Sequence, residues 1–385
     1  MTIKEASLFC KDGDWIESKD QSLSGIRLIQ TGNIGVGVYL DKFSRAKYIS
    51  EETFNKLECT EVFPGDIIIS RLPTPVGRAC IVPDGLGRTI AAVDCTILRI
   101  NEKKFLKEYV LLYTETGQYK SQIEKFLAGS TRVRISRKNL ESISIPQKNL
   151  ETQKNIVSII YKIKNIVELR KQQLSKLDQL VKSRFIEMFG DPTLNIKMWD
   201  IYTLGKRCQI ITGNTPSRTE KDNYGDFIEW IKSNNINKNE MYISKADEFL
   251  SLKGFSKGRY VESGSLLMTC IAGSINRIGN IAISDRRVAF NQQINAIIPK
   301  VDNKFYIYWL IRLSQKNIHT VINHSLKGIL NKSQLSAIKF PFPPIPLQEQ
   351  FATFVQQVEK AKSSVKKSLE KLETLKKSLM QEYFE

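Results

Sequence analysis

Ile29-Gln30-Thr31-Gly32-Asn33-Ile34 and Ile231-Lys232-Ser233-Asn234-Asn235-Ile236 are one phrase written twice, a polar tip between apolar flanks, 202 positions apart. Working outward, Pro64-Gly65-Asp66-Ile67-Ile68-Ile69-Ser70 is matched by Ser263-Gly264-Ser265-Leu266-Leu267-Met268-Thr269, each a turn entering an apolar strand. Glycine-containing stretches follow at 77–82 and 279–284 and read as returning strands. Ile135-Ser136-Arg137-Lys138-Asn139-Leu140, with Ile143 and Pro146, has its counterpart in Leu330-Asn331-Lys332-Ser333-Gln334-Leu335, with Ile338 and Pro341. Each copy then ends in a long helical pattern. Residues 199–385 therefore re-run residues 15–189, which is too large and too few a repeat for a solenoid. Two copies of one domain-plus-helix unit, related by an internal pseudo-two-fold, are expected.

The helical patterns set the expected geometry. From Ile156, apolar residues recur at Ile160, Ile163, Val167, Leu174, Leu177 and Val181, with Arg170 in the one polar seam position. The second copy keeps Phe351, Val355, Val358, Val365, Leu369, Leu372 and Leu379, broken by Lys362 and Lys376. This three-four spacing is a coiled-coil face. Both helices follow proline punctuation, at Pro146 and at Pro341-Phe342-Pro343-Pro344-Ile345-Pro346, and the first stops at Gly190-Asp191-Pro192. About 40 residues make a rod of roughly 60 Å, longer than a small domain covers. The second helix buries its stripe on the first only by running back, so the pair is expected to be antiparallel, with a globular head at either end.

With 385 residues the chain has room for two or three ordinary domains, each with its own core. Its formal net charge is +18, and the segments 150–189 and 347–385 carry only five of those charges, which leaves +13 on the heads. Such an excess is the electrostatic footprint of a polyanion-binding face and points to DNA. The six cysteines (Cys10, Cys59, Cys80, Cys95, Cys208, Cys270) form no CxxC pair, and His319 and His324 are the only histidines. Reduced thiols in a cytoplasmic protein are expected, with no zinc site. No run of about 18 apolar residues reads as a membrane span, and Lys4, Glu5 and Lys11 interrupt any signal peptide.

Inside each head, short aliphatic runs at 66–70, 79–82, 96–100, 265–268 and 281–284 read as strands, and 105–126 and 305–323 as helical. Each head is thus expected to be an α+β domain with a strongly bent sheet. Arg and Lys reach guanine edges, and Asn and Gln pair bidentately with adenine. Candidate DNA-binding residues in the first head are Gln30, Thr31, Asn33, Arg71, Arg78, Arg132 and Arg134. In the second they are Lys232, Asn234, Asn235, Asn276, Arg277, Asn291, Gln292, Gln293 and Lys327. Each alone reads as a solvated loop side chain or a turn-former before it reads as a base contact; their clustering on matched loops of two basic heads is what singles them out.

Catalytic signals are weak. There is no GxxxxGK[ST] loop, and no Asn/Asp-Pro-Pro-Tyr/Phe segment, since Phe342 precedes Pro343-Pro344 and removes the amide such a methylation pocket needs. Pro83-Asp84 with Glu102-Lys103-Lys104 imitates a nuclease PD…ExK pattern, but Asp84 reads as a turn residue and Glu102 as a loop residue, not as neighbours holding a metal.

Asp12-Gly13-Asp14-Trp15-Ile16 opens the first head; Trp199, Leu204-Gly205 and Gly213-Asn214-Thr215-Pro216-Ser217 open the second. With the turns at Gly65 and Gly264, Asn291-Gln292-Gln293, and the helix entry Pro346-Leu347-Gln348-Glu349-Gln350, the chain resembles, over essentially its whole length, the DNA specificity subunit of type I restriction-modification systems. The resemblance implies target recognition domains at 1–149 and 190–346 and spacer helices at 150–189 and 347–385. It implies a chain that reads a two-part double-stranded DNA target, has no catalytic, cofactor or metal site of its own, and recruits two methylation subunits that bind S-adenosylmethionine. A translocating restriction subunit is a further implied partner. The first head departs from the pattern, with Val93-Asp94-Cys95 set opposite Asn291-Gln292-Gln293 and no Gly-x-x-Pro opening, so the heads are expected to read different half-sites. A free-standing DNA-binding regulator would share the basic heads, and a coiled-coil adaptor only the helices.

Overall fold

The computed structural model describes residues 1–127, 133–322 and 328–384. It divides into two compact units, Met1–Lys171 with Lys367–Glu385, and Gln172–Lys366.

Each unit holds two four-stranded sheets with the same connections. In the first unit, one sheet runs Ser7–Asp12, Cys95–Ile100, Ile67–Ser70, Ala79–Ile81, all antiparallel. The other runs Lys47–Ile49, Ile26–Ile29, Thr89–Ala91, Glu61–Val62, with one parallel pair that sets Ile29 beside Ala91. The second unit repeats both orders. Its strands are Cys208–Thr212, Ile294–Pro299, Leu266–Thr269, Ile281–Ile283, and Phe249–Leu250, Tyr224–Ile231, Val288–Phe290, Tyr260–Val261, where the parallel pair sets Ile231 beside Phe290. Where one strongly bent sheet is expected in each head, the chain turns a corner from one sheet into the other, between Thr89–Ala91 and Cys95–Ile100, and between Val288–Phe290 and Ile294–Pro299.

Continuous apolar runs arise because these strands are covered on both faces. Ile67 and Ile69 face a core containing Tyr109, Val110 and Leu112, while Ile68 faces Ile29, Cys80 and Ile97 between the sheets. Leu266 and Met268 face Tyr306, Ile307 and Leu310, and Leu267 faces Ile231, Phe290 and Ala296. The helical stretches are Lys107–Tyr113 and Gly117–Lys125 in one unit, Lys304–Leu313 and Gln315–Thr320 in the other. Burial also governs the thiols. No cysteine is in a disulfide, and desolvation pushes Cys80 and Cys270 up to about 12.

The long helices are Leu150–Phe189 and Ile345–Phe384. The first is opened by Asn149, whose Oδ1 accepts the Thr152 N–H at 2.7 Å, and is closed by Gly190 at φ +81°, whose N–H bonds Ile186 O. In the second unit Phe351 packs on Phe185 and Phe189, with ring centroids 5.4 Å apart in both cases, and Lys362 meets Asp178 at 2.8 Å. From Phe351 to Lys362 is eleven residues forward and from Phe189 to Asp178 eleven back, so the two segments run antiparallel. In the first unit the start of one helix, at Ile156 and Ile160, shares a core with the end of the other, at Met380 and Phe384. Among the described residues no helix is long and apolar enough to cross a membrane.

Two matched glutamines tie each helix to its head. Gln153 Oε1 accepts the Leu106 N–H at 2.8 Å and its amide donates to Lys104 O and Lys148 O. Gln348 Oε1 accepts the Asn303 N–H at 2.9 Å and its amide donates to Asp302 Oδ1 and Pro343 O. Both side chains are fully buried.

Candidate nucleic-acid interface

In the second unit the strand ends bring four loops to one edge. The 3-10 turn Ser233–Asn235 leaves the strand Tyr224–Ile231; Asn291-Gln292-Gln293 is the corner between the sheets; the 213–217 segment leaves Cys208–Thr212; and the 273–277 loop follows the short strand Ile271–Ala272. Hydrogen bonds lock them together. Asn291 N donates to Ile231 O at 3.0 Å, Cys270 N to Gln293 O at 2.7 Å, and Gly213 N to Ile294 O at 3.0 Å. A Cβ on Gly213 would clash with the carbonyl oxygens of Phe290 and Asn291, so only glycine lets this segment lie on the corner.

The candidate residues of this edge fall into two groups. Asn235 is buried, its Oδ1 accepting the Lys232 N–H at 3.0 Å and its amide donating to Ser244 Oγ and Lys245 O. Asn291 is buried as well, donating to Gln293 Oε1 at 3.1 Å, and Ser233 Oγ donates to that same oxygen at 3.4 Å. Asn235, Asn291 and Gln293 thus form the amide framework of the edge. Asn234, Asn276, Arg277 and Gln292 are exposed on it, Gln292 accepting from Thr215 Oγ1. Lys327 lies outside the described residues.

Lys232 is not a free cation. Its Nζ is 2.5 Å from Glu248 Oε1 and 5.2 Å from the Trp230 ring centroid. Arg218, which carries no sequence signal of its own, holds the other Glu248 oxygen at 2.8 Å and lies over Tyr224 and Trp230. The hydrogen bond from Lys232, with that from Arg218, keeps the Glu248 carboxyl below the ordinary glutamate range.

The first unit builds the same edge with different chemistry. Gln30 N donates to Asn33 Oδ1 at 3.0 Å, Ala92 N to Ile29 O at 2.8 Å, Arg71 N to Asp94 O at 2.9 Å and Gly13 N to Cys95 O at 2.8 Å. These bonds place Ala92-Val93-Asp94, one residue earlier than the sequence suggests, opposite Asn291-Gln292-Gln293, and they put Gly13 in the role of Gly213. A Cβ on Gly13 would likewise clash with Ala91 O and Ala92 O. The missing Gly-x-x-Pro opening therefore leaves the corner intact, because Asp12-Gly13-Asp14 supplies its glycine.

Two arginines do here what amides do in the second unit. Arg71 is 8% exposed, donating to Val93 O at 2.6 Å and lying 3.4 Å from Asp12 Oδ2. Arg78 spends its guanidinium on four carbonyls, those of Ile34 (2.7 Å), Leu72 (2.7 Å), Pro75 (2.9 Å) and Thr31 (2.9 Å). Asn33 is buried, its amide bonded to Leu40 O. Gln30 and Thr31 are half-buried at the rim and Arg134 is exposed, while Arg132 lies outside the described residues. Asp84 and Glu102 line separate depressions, Glu102 beside Lys107 at 3.6 Å, so the nuclease-like pattern is not assembled. Among the described residues no three His, Cys, Asp or Glu side chains gather as metal ligands.

The duplicated edge coincides with a duplicated family match. The type I restriction modification DNA specificity domain matches residues 5–179 and again residues 196–374. The chain belongs to that family. It is 22% identical over 359 residues to the type I restriction enzyme HindI specificity subunit of Haemophilus influenzae, covering 72% of this chain and 77% of that one. It is 23% identical over 342 residues to the putative type I restriction enzyme MjaX specificity subunit of Methanocaldococcus jannaschii, covering 82% and 76%. Among solved structures, the type I restriction-modification S subunit from M. genitalium covers this whole chain and 95% of its own, at TM-score 0.60 and 14% identity. A chain from a structural study of type I complex assembly and conformational transition does so at TM-score 0.63 and 15% identity, with 96% of its own length covered. The fold expected from the sequence, two similar α+β recognition domains with long antiparallel helices, is the fold of this specificity family. Its members' role, DNA sequence specificity in type I restriction-modification, is the role of this chain.

Proposed function

We propose that this chain reads a two-part double-stranded DNA target, one half-site per head, and presents it to two methylation subunits that carry S-adenosylmethionine and to restriction subunits, all in the cytoplasm. In this reading the chain supplies specificity and its partners the chemistry. Residues 1–149 and 190–346 are the heads, and 150–189 and 347–385 the spacer helices. The observation that carries the reading is the reuse of one hydrogen-bonded corner in both heads with different side chains at its rim. A shared frame with diverged tips is what two half-site readers need, since phosphate contacts position a protein and base-edge contacts specify the sequence. Gln292, Asn234, Asn276 and Arg277 in the second head, with Gln30, Thr31 and Arg134 in the first, are the proposed contacts. Arg132 and Lys327 belong to the same proposal, and the buried Asn33, Asn235, Asn291 and Arg71, with the half-buried Gln293 and Arg78, act by holding the loops, with Lys232 paired until DNA arrives.

The deciding experiment is a head exchange. Replacing residues 199–346 by the matching segment of a relative, and mapping adenine methylation after co-expression with the cognate methylation subunits, should change one half of the methylated sequence. A change in both halves, or methylation by this chain alone with S-adenosylmethionine, refutes the reading.

A further inference from the structure

A cavity of about 310 Å³ opens in the second unit beside its reading edge. Lys238, Arg312 and His319 line it together with the side-chain amides of Asn276, Asn280 and Gln315. Four elements position most of them. Lys238 follows the Ser233–Asn235 turn, Asn276 sits in the 273–277 loop just after Cys270 and Ile271, whose N–H groups bond Gln293 O, and Arg312, Gln315 and His319 come from the helices Lys304–Leu313 and Gln315–Thr320.

The lining decides the class of ligand. No carboxylate lines the cavity, so a metal ion or an amine finds no counter-charge. The rings nearest it, Tyr308 and Trp309, are buried beneath Arg312, whose guanidinium lies 5.7 and 5.3 Å from their centroids, so no free aromatic face is offered to a base. Arg312 donates to the Tyr308 hydroxyl and pairs with no carboxylate among the described residues. A half-buried guanidinium without an anion, an exposed lysine and the amides of Asn276 and Asn280 match an anion with several acceptor oxygens, while the Gln315 amide is already spent on Gly279 O and Ile311 O.

The matched place in the first unit is closed. There Tyr119 donates to Gly77 O at 2.9 Å, as the Gln315 amide donates to Gly279 O at 3.0 Å, and Ile123 stands four residues on, where the second unit has His319. Tyr119 and Ile123 are 1% and 3% exposed, and they fill with ring and aliphatic carbon the space the second unit leaves polar.

We propose that this cavity is a phosphate pocket particular to the second head, taking one backbone phosphate of DNA that flanks the second half-site. The proposal rests on the DNA-reading function above and adds an anchor that the first head lacks. Such a contact fixes the register of the duplex on the reading edge and carries no sequence information itself.

The test is a phosphate scan by the full-length chain, measuring affinity for duplexes in which single phosphates beside the second half-site are replaced by neutral methylphosphonates. One replacement should weaken the unmodified chain several-fold. Lys238→Gln, an exposed position that folding does not need, and Arg312→Gln should bind ordinary DNA as weakly and lose nothing further at that replacement. Each should make the logarithmic salt dependence of binding shallower by about one, with the preferred half-site sequences unchanged. A silent scan with an undiminished salt dependence in both variants overturns the pocket and leaves DNA reading intact. Inorganic phosphate protecting the wild type but not the variants, together with a silent scan, would assign the cavity to a free anion and overturn the DNA source. A wild-type chain that prefers no DNA sequence, alone or with its methylation subunits, would remove the functional reading and this proposal together.

Discussion

The Lys362 ammonium lies 2.8 Å from Asp178 Oδ1, linking the two long helices within the second unit, and it bonds Glu359 at the same distance. Its side chain is 7% exposed in a seam otherwise lined by Val355, Val358 and Val365. Burial alone would lower the Lys362 pKa; the hydrogen bonds to Asp178 and Glu359 outweigh it and hold the group above the ordinary lysine value. A single charged residue in a coiled-coil seam fixes register and orientation at a cost in stability.

Asp178→Asn should therefore destabilise the chain by about 1–3 kcal/mol, between the value of an exposed pair and that of a broken buried one. Lys362→Leu should cost less than about 1 kcal/mol or stabilise. Urea titration of both variants checks this. The pair's contribution is complete below the ordinary lysine pKa and fades as pH rises through the raised one. A larger loss for Lys362→Leu than for Asp178→Asn would make the pair a net source of stability instead of a register device.

Gln348→Ala leaves the Asn303 N–H without its acceptor in a buried site, and should cost about 1–3 kcal/mol. Gln348→Glu should cost more, because its carboxylate would face Asp302, which already holds Arg207 at 2.6 Å. Thermal denaturation ranks the two; equal melting temperatures for Gln348→Glu and the parent chain would contradict the role given to this residue.

Gly213→Ala should displace the Asn291-Gln292-Gln293 corner, since the clash is with backbone carbonyls that cannot move as a side chain can. We expect a stability loss of at least about 1–3 kcal/mol and a selective loss of discrimination at the second half-site. Gly13→Ala should do the same at the first. Methylation mapping of each variant with the cognate subunits checks the division of labour.

Glu248→Gln should free Lys232 and Arg218 from their shared carboxylate. DNA affinity should rise and its salt dependence steepen by one or more as the cations turn to phosphate, with specificity falling. Because the Glu248 pKa is lowered, its stabilising contribution is present above the ordinary glutamate value and lost as pH falls through the lowered one. Unchanged salt dependence in Glu248→Gln would mean the carboxylate does not compete with DNA for these cations.

Duplication, strand runs and helix seams were legible in the chain because they depend on local period and on which residues leave water. Ile67-Ile68-Ile69 announces a doubly covered strand, and Ile156, Ile160, Phe351 and Val355 announce a buried stripe, whatever the rest of the fold does. The polar residues were legible only as a set. Asn33 and Asn234 are equally good base readers on paper, yet one is buried against Leu40 O and the other exposed. Arg78 spends on four carbonyls the donors that would suit a guanine, and Gly13 takes the place of Gly213 although the segments around them differ. Sequence alone determined that there are two heads, two helices and a positive charge to attract DNA. Which side chains are spent inside and which remain to meet a ligand follows from how the folded strands and loops come together. A polar group's role depends on the carbonyls and carboxylates that distant strands bring within hydrogen-bond reach, and no local pattern records them.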